Sequence, residues 1–190
     1  MSAPADRYRR LAARFSDVVN AVPNGAWTAT SPCDGWSARD VLHHVVTTEL
    51  DFLGRMPFAP EEKIATDDPG VAWPIVRDLV QTALDAPATA QHVFDGYFGP
   101  TTFEALLDHF YNTDLVVHAW DLARATGQSE FEEIDAGEMV RIRSDFGADF
   151  AETMRMPGIF GPALPVAAGA SEQDRFLAWL GREPNQSSPK

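Results

Sequence analysis

The segment 101–127 most constrains the fold, because its apolar residues recur at helical spacing until Gly127 ends the pattern. At 100° per residue, roughly one third of the helix surface carries a continuous stripe that should face a bundle interior. The stripe consists of Phe103, Leu107, Phe110, Tyr111, Asp114, His118, Asp121 and Ala125. Asp114 and His118 thus stand where apolar side chains are expected, and an unpaired carboxylate buried there would be unfavourable by several kcal/mol.

Two kinds of partner compensate a buried carboxylate, namely an internal hydrogen-bond or ion-pair network and a metal ion. A carboxylate and a neutral imidazole one helical turn apart converge on one point, as ligands do on metal-binding helices. The D-x-x-x-H spacing of Asp114 and His118 leaves both explanations open. Asp121 could orient a ligand histidine or simply pair with Arg124.

A metal site needs at least a third ligand, and the sequence offers five candidates: Cys33, His43, His44, His92 and His109. His109 points away from the Asp114 face of its own helix. His43 and His44 both flank the apolar stripe of the preceding helix, and His44 lies slightly nearer to it. Periodicity alone does not decide between these two histidines.

The remaining chain predicts further helices separated by loops. The first covers 6–22, and the second begins at a capping box of Ser37 and Asp40 and ends at about residue 56. The third covers 73–86, with Pro74 in its first turn. The last two cover 134–154 and the stretch "EQDRFLAWLG". Residues 57–70 form a long loop, and "QHVFDGYFGP" is either a short strand pair or irregular. We therefore expect an all-α bundle with small β pieces, one domain over 1–182 and a disordered tail over 183–190.

Composition excludes several classes of partner. The formal net charge of -13 would repel nucleic-acid phosphates and anionic membranes. No apolar run approaches the ~20 residues that a membrane span needs. The single cysteine, Cys33, excludes an intrachain disulfide and suits a reducing compartment, so we expect a cytoplasmic protein.

Three stretches in order resemble a known family: "SPCDGWSARDVLHHVV", "DLVVHAWDLARATG" and "FGPALPVAAGASEQDRFLAWLGREP". They are similar to the DinB-like superfamily, in particular the mycothiol-dependent maleylpyruvate isomerase N-terminal domain and its single-domain, actinobacterial-type metal-binding members. The resemblance implies a four-helix bundle with an extra short C-terminal helix and one bound divalent metal ion. Zinc is the expected metal, and nickel and iron are the alternatives. The resemblance assigns the metal ligands to His44, Asp114 and His118.

The resemblance also implies mycothiol as a co-substrate and thiol transfer or isomerisation of a small electrophile. Two differences argue against carrying over maleylpyruvate isomerisation itself: the isomerase has glutamate in place of Asp114, and it has a second domain where a short helix and tail follow here. The alternatives are a metal-dependent hydrolase and a non-catalytic metal-binding or dimerisation module, with Cys33 as a fourth ligand. No catalytic residue is assigned, the roles of Cys33, His43 and Asp121 stay undecided, and a homodimer stays open.

Overall fold

Helices dominate the computed structural model, which describes residues 2–155 and 161–184. The helices are α1 (Ala3–Ala21), α2 (Ala38–Gly54), α3 (Pro69–Asp85), α4 (Pro87–Ala90), α5 (Phe103–Leu106), α6 (Asn112–Thr126), α7 (Ala136–Thr153) and α8 (Glu172–Trp179). Short 3-10 turns lie at Ala26–Thr28 and Ser129–Phe131, and a π-helical turn at Leu107–Tyr111 joins α5 to α6. The predicted all-α class with a short C-terminal helix is confirmed.

Four of these helices form the bundle. α1 packs against α3 and α6, and α2 packs against the same two helices, which closes a ring of four around the core. Phe15 of α1 meets Trp73 of α3 edge-on at 4.9 Å between ring centroids, and both side chains are buried. The indole Nε1 of Trp73 donates to the hydroxyl of Ser16 at 2.9 Å, which satisfies its polar atom inside the core.

The predicted capping box at the start of α2 is present. The Ser37 hydroxyl accepts from the backbone N–H of Asp40, and the Asp40 carboxylate accepts from the backbone N–H of Ser37 at 2.9 Å. These two bonds satisfy amide groups that have no partner inside the helix. They set the start of α2 and therefore the rotational position of every side chain that follows on it.

The predicted start of α3 at residue 73 is wrong, as is the placement of Pro74 in the first turn. α3 begins at Pro69, because the Asp68 carboxylate caps it by accepting from the Gly70 N–H at 3.0 Å. Pro69 takes the first helical position, where its missing N–H has no consequence. Pro74 falls in the second turn, where it cannot donate to the Gly70 carbonyl.

The segment "QHVFDGYFGP", for which the sequence did not decide between a strand pair and an irregular loop, lies in an antiparallel hairpin. Its strands are β1 (Val93–Gly96) and β2 (Gly99–Thr102). Tyr97 and Phe98 occupy its tip. Gly99 has a φ of 107°, a conformation that side-chain-bearing residues rarely adopt, and it turns the chain into the second strand. The hairpin is the small β piece that the sequence predicted.

The predicted long fourth helix is confirmed in its extent, since helical structure runs from Phe103 to Thr126 and Gly127 caps it, but it is a composite of α5, the π turn and α6 and not one regular helix. In the π turn the Asn112 N–H donates to the carbonyl of Leu107, five residues back. The buried Arg7 of α1 donates hydrogen bonds to the Asp108 backbone carbonyl at 2.8 Å and to the Asp108 carboxylate at 3.0 Å. It also donates to the carboxylate of Glu138 on α7 at 2.9 Å. This buried network holds α1, the π turn and α7 together.

The π turn shifts the helical register by about one residue relative to a straight helix. The single stripe predicted from Phe103 to Ala125 therefore does not share one register. Spacings within α6 are unaffected, because α6 is regular from Asn112 until Gly127 caps it with a φ of 73°. The relative placement of Asp114, His118 and Asp121 rests on that regular part.

The fifth predicted helix, 134–154, corresponds to α7 but is interrupted. Gly147 has φ 56° and ψ 175°, a backbone conformation available essentially to glycine alone. Of the predicted tail 183–190, residues 185–190 lie outside the described residues, so its disorder and the 1–182 boundary stay predictions. Among residues 2–155 and 161–184, no helix has both the length and the apolar character to cross a bilayer.

Candidate metal centre

The packing of α2 against α6 brings together three side chains that the sequence singled out. His44 of α2 faces Asp114 and His118 of α6, and one ligand atom from each of the three lies within 4.8 Å of the other two. His44 Nε2 lies 3.8 Å from the Asp114 carboxylate, and the two imidazole rings meet edge-on with centroids 5.0 Å apart. The capped start of α2 and the regular turns of α6 together produce this convergence.

The donor set suits a divalent transition metal. Two imidazole nitrogens and one carboxylate oxygen are the ligand types of open zinc sites, and around a tetrahedral ion they lie about 3.3 Å apart. The three ligand atoms lie within 4.8 Å of one another, which is near the spacing that one shared ion requires. His118 is buried and the Asp114 side chain is 40% exposed, so the cluster opens to solvent on the Asp114 side.

Asp121 fixes the orientation of His118. Its carboxylate lies 2.9 Å from His118 Nδ1, one helical turn away on α6, and is completely buried. Burial alone would raise the pKa of Asp121, but the Arg182 charge and the His118 hydrogen bond hold it well below its usual range. An ionised Asp121 keeps the proton of His118 on Nδ1 and leaves Nε2 unprotonated, so that Nε2 is the nitrogen that could bind a metal.

The partner of Asp121 is Arg182, not Arg124 as one reading of the sequence had it. Arg182 donates to both Asp121 oxygens, at 3.0 and 3.3 Å, while Arg124 pairs with Glu132 at 2.6 Å. With its side chain only 11% exposed, Arg182 forms a buried ion pair with Asp121. Sequence reasoning missed this residue, because it lies after the last helix and far from Asp121 in the chain.

A local motif directs Arg182 inward. At the end of α8, the Arg182 N–H donates to the Leu177 carbonyl and the Gly181 N–H to the Ala178 carbonyl, which is the Schellman pattern of a helix C-terminus. Gly181 has a φ of 82°, and a Cβ there would meet the Gly161 backbone at 2.9 Å. The "LGR" stretch after an apolar helix is the signal that could have indicated this turn.

Cys33 belongs to the Asp121 side of His118. Its thiol lies 3.3 Å from the Asp121 carboxylate, and burial together with the Asp121 charge raises the pKa of this thiol. Cys33, His118 and Asp121 also converge closely enough for a cation, but such an ion would have to displace Arg182 from Asp121. Cys33 does not join the group of His44 and Asp114, which disfavours it as their fourth ligand.

The loop before α2 supplies one wall of the site. Thr30 and Ser37 form an isolated antiparallel bridge that closes this loop, and Gly35 turns within it at a φ of 76°. Trp36 at its end lies against both imidazoles, 4.9 Å from the His44 ring and 6.2 Å from the His118 ring between centroids. The Trp36 ring thus restricts His44, whose ring has no hydrogen-bond partner in the described part of the chain.

The other candidate histidines lie elsewhere. His43 is exposed on α2, one residue from His44. His92 meets Phe58 edge-on at 5.8 Å before β1. His109 contacts Phe146 of α7 at 4.6 Å, which confirms that it points away from the Asp114 face. The choice of His44 over these three is the one that the geometry supports.

Glu49, one and a half turns after His44 on α2, is a buried acid that the sequence analysis did not consider. It accepts a hydrogen bond from the Tyr8 hydroxyl at 2.8 Å, while its Oε1 has no partner among the described residues. Burial raises the pKa of Glu49 to about 8, the Tyr8 hydrogen bond counteracts this in part, and the Asp114 charge adds to it. A neutral carboxylic acid therefore lies behind the centre at neutral pH.

Comparison with known proteins bears on this geometry. Residues 8–92 match the model of the family described as the mycothiol maleylpyruvate isomerase N-terminal domain. The chain is similar to that family over this stretch. The match includes Trp36 and His44 and ends before Asp114, so it covers one side of the centre and leaves α6 outside.

Two relatives of the chain are similar over almost its whole length. They are the uncharacterized proteins Rv0738 and MT0763 of Mycobacterium tuberculosis strains H37Rv and CDC 1551. Each is 28% identical over 94% of this chain and 97% of its own length. Both are consistent with an actinobacterial member of the family. No solved structure matches the chain significantly.

We predict that removing the Asp121–Arg182 pair weakens metal binding while leaving the ligands in place. The double variant Asp121→Asn with Arg182→Met removes both charges together and so avoids one uncompensated buried charge. Zinc affinity, measured by competition with a chromophoric chelator, should fall about 10–100-fold, because His118 loses its anionic partner. The matched control, Arg124→Met with Glu132→Gln, should bind zinc like the wild type. Equal affinity of the two double variants would contradict the assigned role of Asp121.

The raised pKa of Glu49 predicts a specific pH dependence of stability. Between about pH 4.5 and 8 the folded chain holds a proton at Glu49 that the unfolded chain has lost, so the free energy of unfolding falls as pH rises. Glu49→Gln stays neutral and should lack this decline in denaturant titrations at pH 5, 7 and 9. Asp51→Asn, an exposed change on the same helix, should keep it. Parallel curves for the wild type and Glu49→Gln would refute the prediction.

Proposed function

We propose that the protein binds one divalent metal ion through His44, Asp114 and His118 and uses it to activate a low-molecular-weight thiol. Zinc is the preferred metal. The thiol would then be transferred or added to a small electrophilic substrate. The observation that carries the proposal is the convergence of two imidazoles and one carboxylate from two packed helices, with ligand atoms within 4.8 Å.

Three protein ligands are the pattern of catalytic rather than structural zinc sites, which usually have four. Cys33 is the candidate for a fourth ligand, but its thiol donates a hydrogen bond to the Asp121 carboxylate instead. A divalent cation held by the three ligands would lower the pKa of a coordinated thiol, so that thiolate is available near neutral pH. The half-exposed Asp114 lies on the open side, where a thiol and a substrate can approach.

The chain's own residues each have a part in this proposal. Asp121 holds the Nδ1 proton of His118, and Arg182 keeps Asp121 ionised. Trp36 packs on both imidazoles and covers one side of the centre from water. Because the matched family is named for mycothiol, a thiol is preferred over water as the nucleophile. The thiol and the electrophile belong to the proposal and not to the observed geometry.

The test compares thiol consumption by metal-free and zinc-loaded protein, with mycothiol as the thiol and 1-chloro-2,4-dinitrobenzene as the electrophile. The thiolate sulfur forms a carbon–sulfur bond, chloride leaves with the bonding electrons, and the thiol proton goes to the buffer. Zinc-loaded wild type should react at least about 100-fold faster than metal-free protein. His44→Ala should lose this increase, whereas His43→Ala, its exposed neighbour, should retain it.

Two results would contradict the proposal. Thiol consumption that is equal with and without metal would remove the assigned role of the three ligands. A metal-dependent release of dinitrophenol without thioether would identify water as the nucleophile and a hydrolase as the function.

A further inference from the structure

A cavity separate from the candidate metal centre lies beside the π turn. It has a volume of about 660 Å³, within the ~300–1,000 Å³ typical of small-molecule pockets. The hairpin tip, the π turn and α7 border it, and none of its described lining residues belongs to the candidate metal centre. We call it the aromatic cavity, and its principal residues are Tyr97, Phe98, His109, Phe110, Asp145 and Phe150.

The rings of this cavity are arranged as aromatic recognition requires. The Phe98 and Phe110 faces are nearly parallel, with an interplanar angle of 16° and centroids 6.4 Å apart. Phe150 meets Phe98 edge-on at 4.8 Å. Phe98, Phe110 and Phe150 thus form one aromatic cluster in the cavity lining, with the stacked and edge-on contacts that aromatic rings prefer.

The hairpin tip exposes its rings to solvent. Tyr97 is 89% exposed and Phe98 54% exposed. Two adjacent exposed aromatic residues above a cavity are a common sign of a binding site. The π turn below them is held rigidly by the buried Arg7 network, and π turns occur frequently at functional sites.

His109 is the polar group that the cavity leaves without a partner. In the described part of the chain, its ring makes aromatic contacts with Phe110, Phe146 and Phe150 but no hydrogen bond. Burial lowers the pKa of His109, so the ring is neutral near pH 7 and has one donor and one acceptor nitrogen. Asp145, the charged residue of the lining, is paired with Arg141 at 3.4 Å.

We propose that the aromatic cavity binds a neutral, planar aromatic molecule with one hydroxyl or carbonyl group. Its ring would lie among Phe98, Phe110 and Phe150, and its polar group would bond to His109. An anion is disfavoured because the chain carries a net charge of -13, and Asp145, the acidic residue among the described lining residues, is already paired with Arg141, so a neutral ligand is favoured. The proposal does not depend on the metal or on thiol chemistry.

The experiment uses 2-naphthol as the probe and isothermal titration calorimetry of the full chain at pH 7. Phe98→Ala removes one face, and Ala105→Phe fills the cavity from an exposed position on α5. Each should weaken binding about 10-fold or more. His109→Phe keeps the ring but removes the hydrogen bond, and should weaken binding about 2–10-fold. Phe131→Ala, which lies outside this cavity, is the matched control and should bind like the wild type.

Naphthalen-2-ylmethylammonium, a cation of similar size, should bind more weakly than 2-naphthol. The proposal is overturned if 2-naphthol does not bind, if Phe98→Ala and Ala105→Phe bind it like the wild type, or if the cation binds more tightly. It is also overturned if sedimentation shows a wild-type dimer that Phe98→Ala converts to a monomer, because a second copy of the chain would then cover the cavity.

Discussion

The geometry of the site depends on the hydrogen bonds and the ion pair of the buried Asp121 carboxylate. This carboxylate joins three distant parts of the chain, since His118, Cys33 and Arg182 all bond to it. A carboxylate with no exposure is tolerated in a folded protein only when charges and donors of this kind surround it. The fold that buries Asp121 must therefore also bring in the loop before α2 and the segment after α8, and His118 is oriented as a consequence.

Helix packing supplies the other half of the geometry. The candidate metal ligands converge because α2 and α6 are neighbours in the bundle and each is regular where these residues lie. The irregular part of the long helix, the π turn, lies one turn before Asp114 and presents His109 to α7 and Phe110 to the hairpin. One composite helix thus contributes to two separate places, a polar centre facing α2 and an aromatic cavity facing α7.

The sequence predicted what depends on spacing within a single regular helix. The placement of Asp114 and His118 one turn apart on α6 was of this kind, and so was the capping box of Ser37 and Asp40. His44 lies on a different helix, and its choice over His43 came from the family resemblance. The register shift at the π turn was not predicted, and the residue that bonds to this turn, Arg7, is far away in the chain. The role of Arg182 depends on its contact with Asp121, 61 residues away in the chain, and no local sequence pattern specifies such a contact.

The central claim is that His44, Asp114 and His118 hold one metal ion, and zinc content measured on purified protein tests it most directly. The wild type, His118→Ala and His109→Ala are each dialysed against zinc and analysed for bound metal per chain. The account predicts about one zinc in the wild type and in His109→Ala, and loss of tightly bound zinc in His118→Ala, which keeps the Asp121–Arg182 pair intact. A full equivalent of tightly bound zinc in His118→Ala would contradict it.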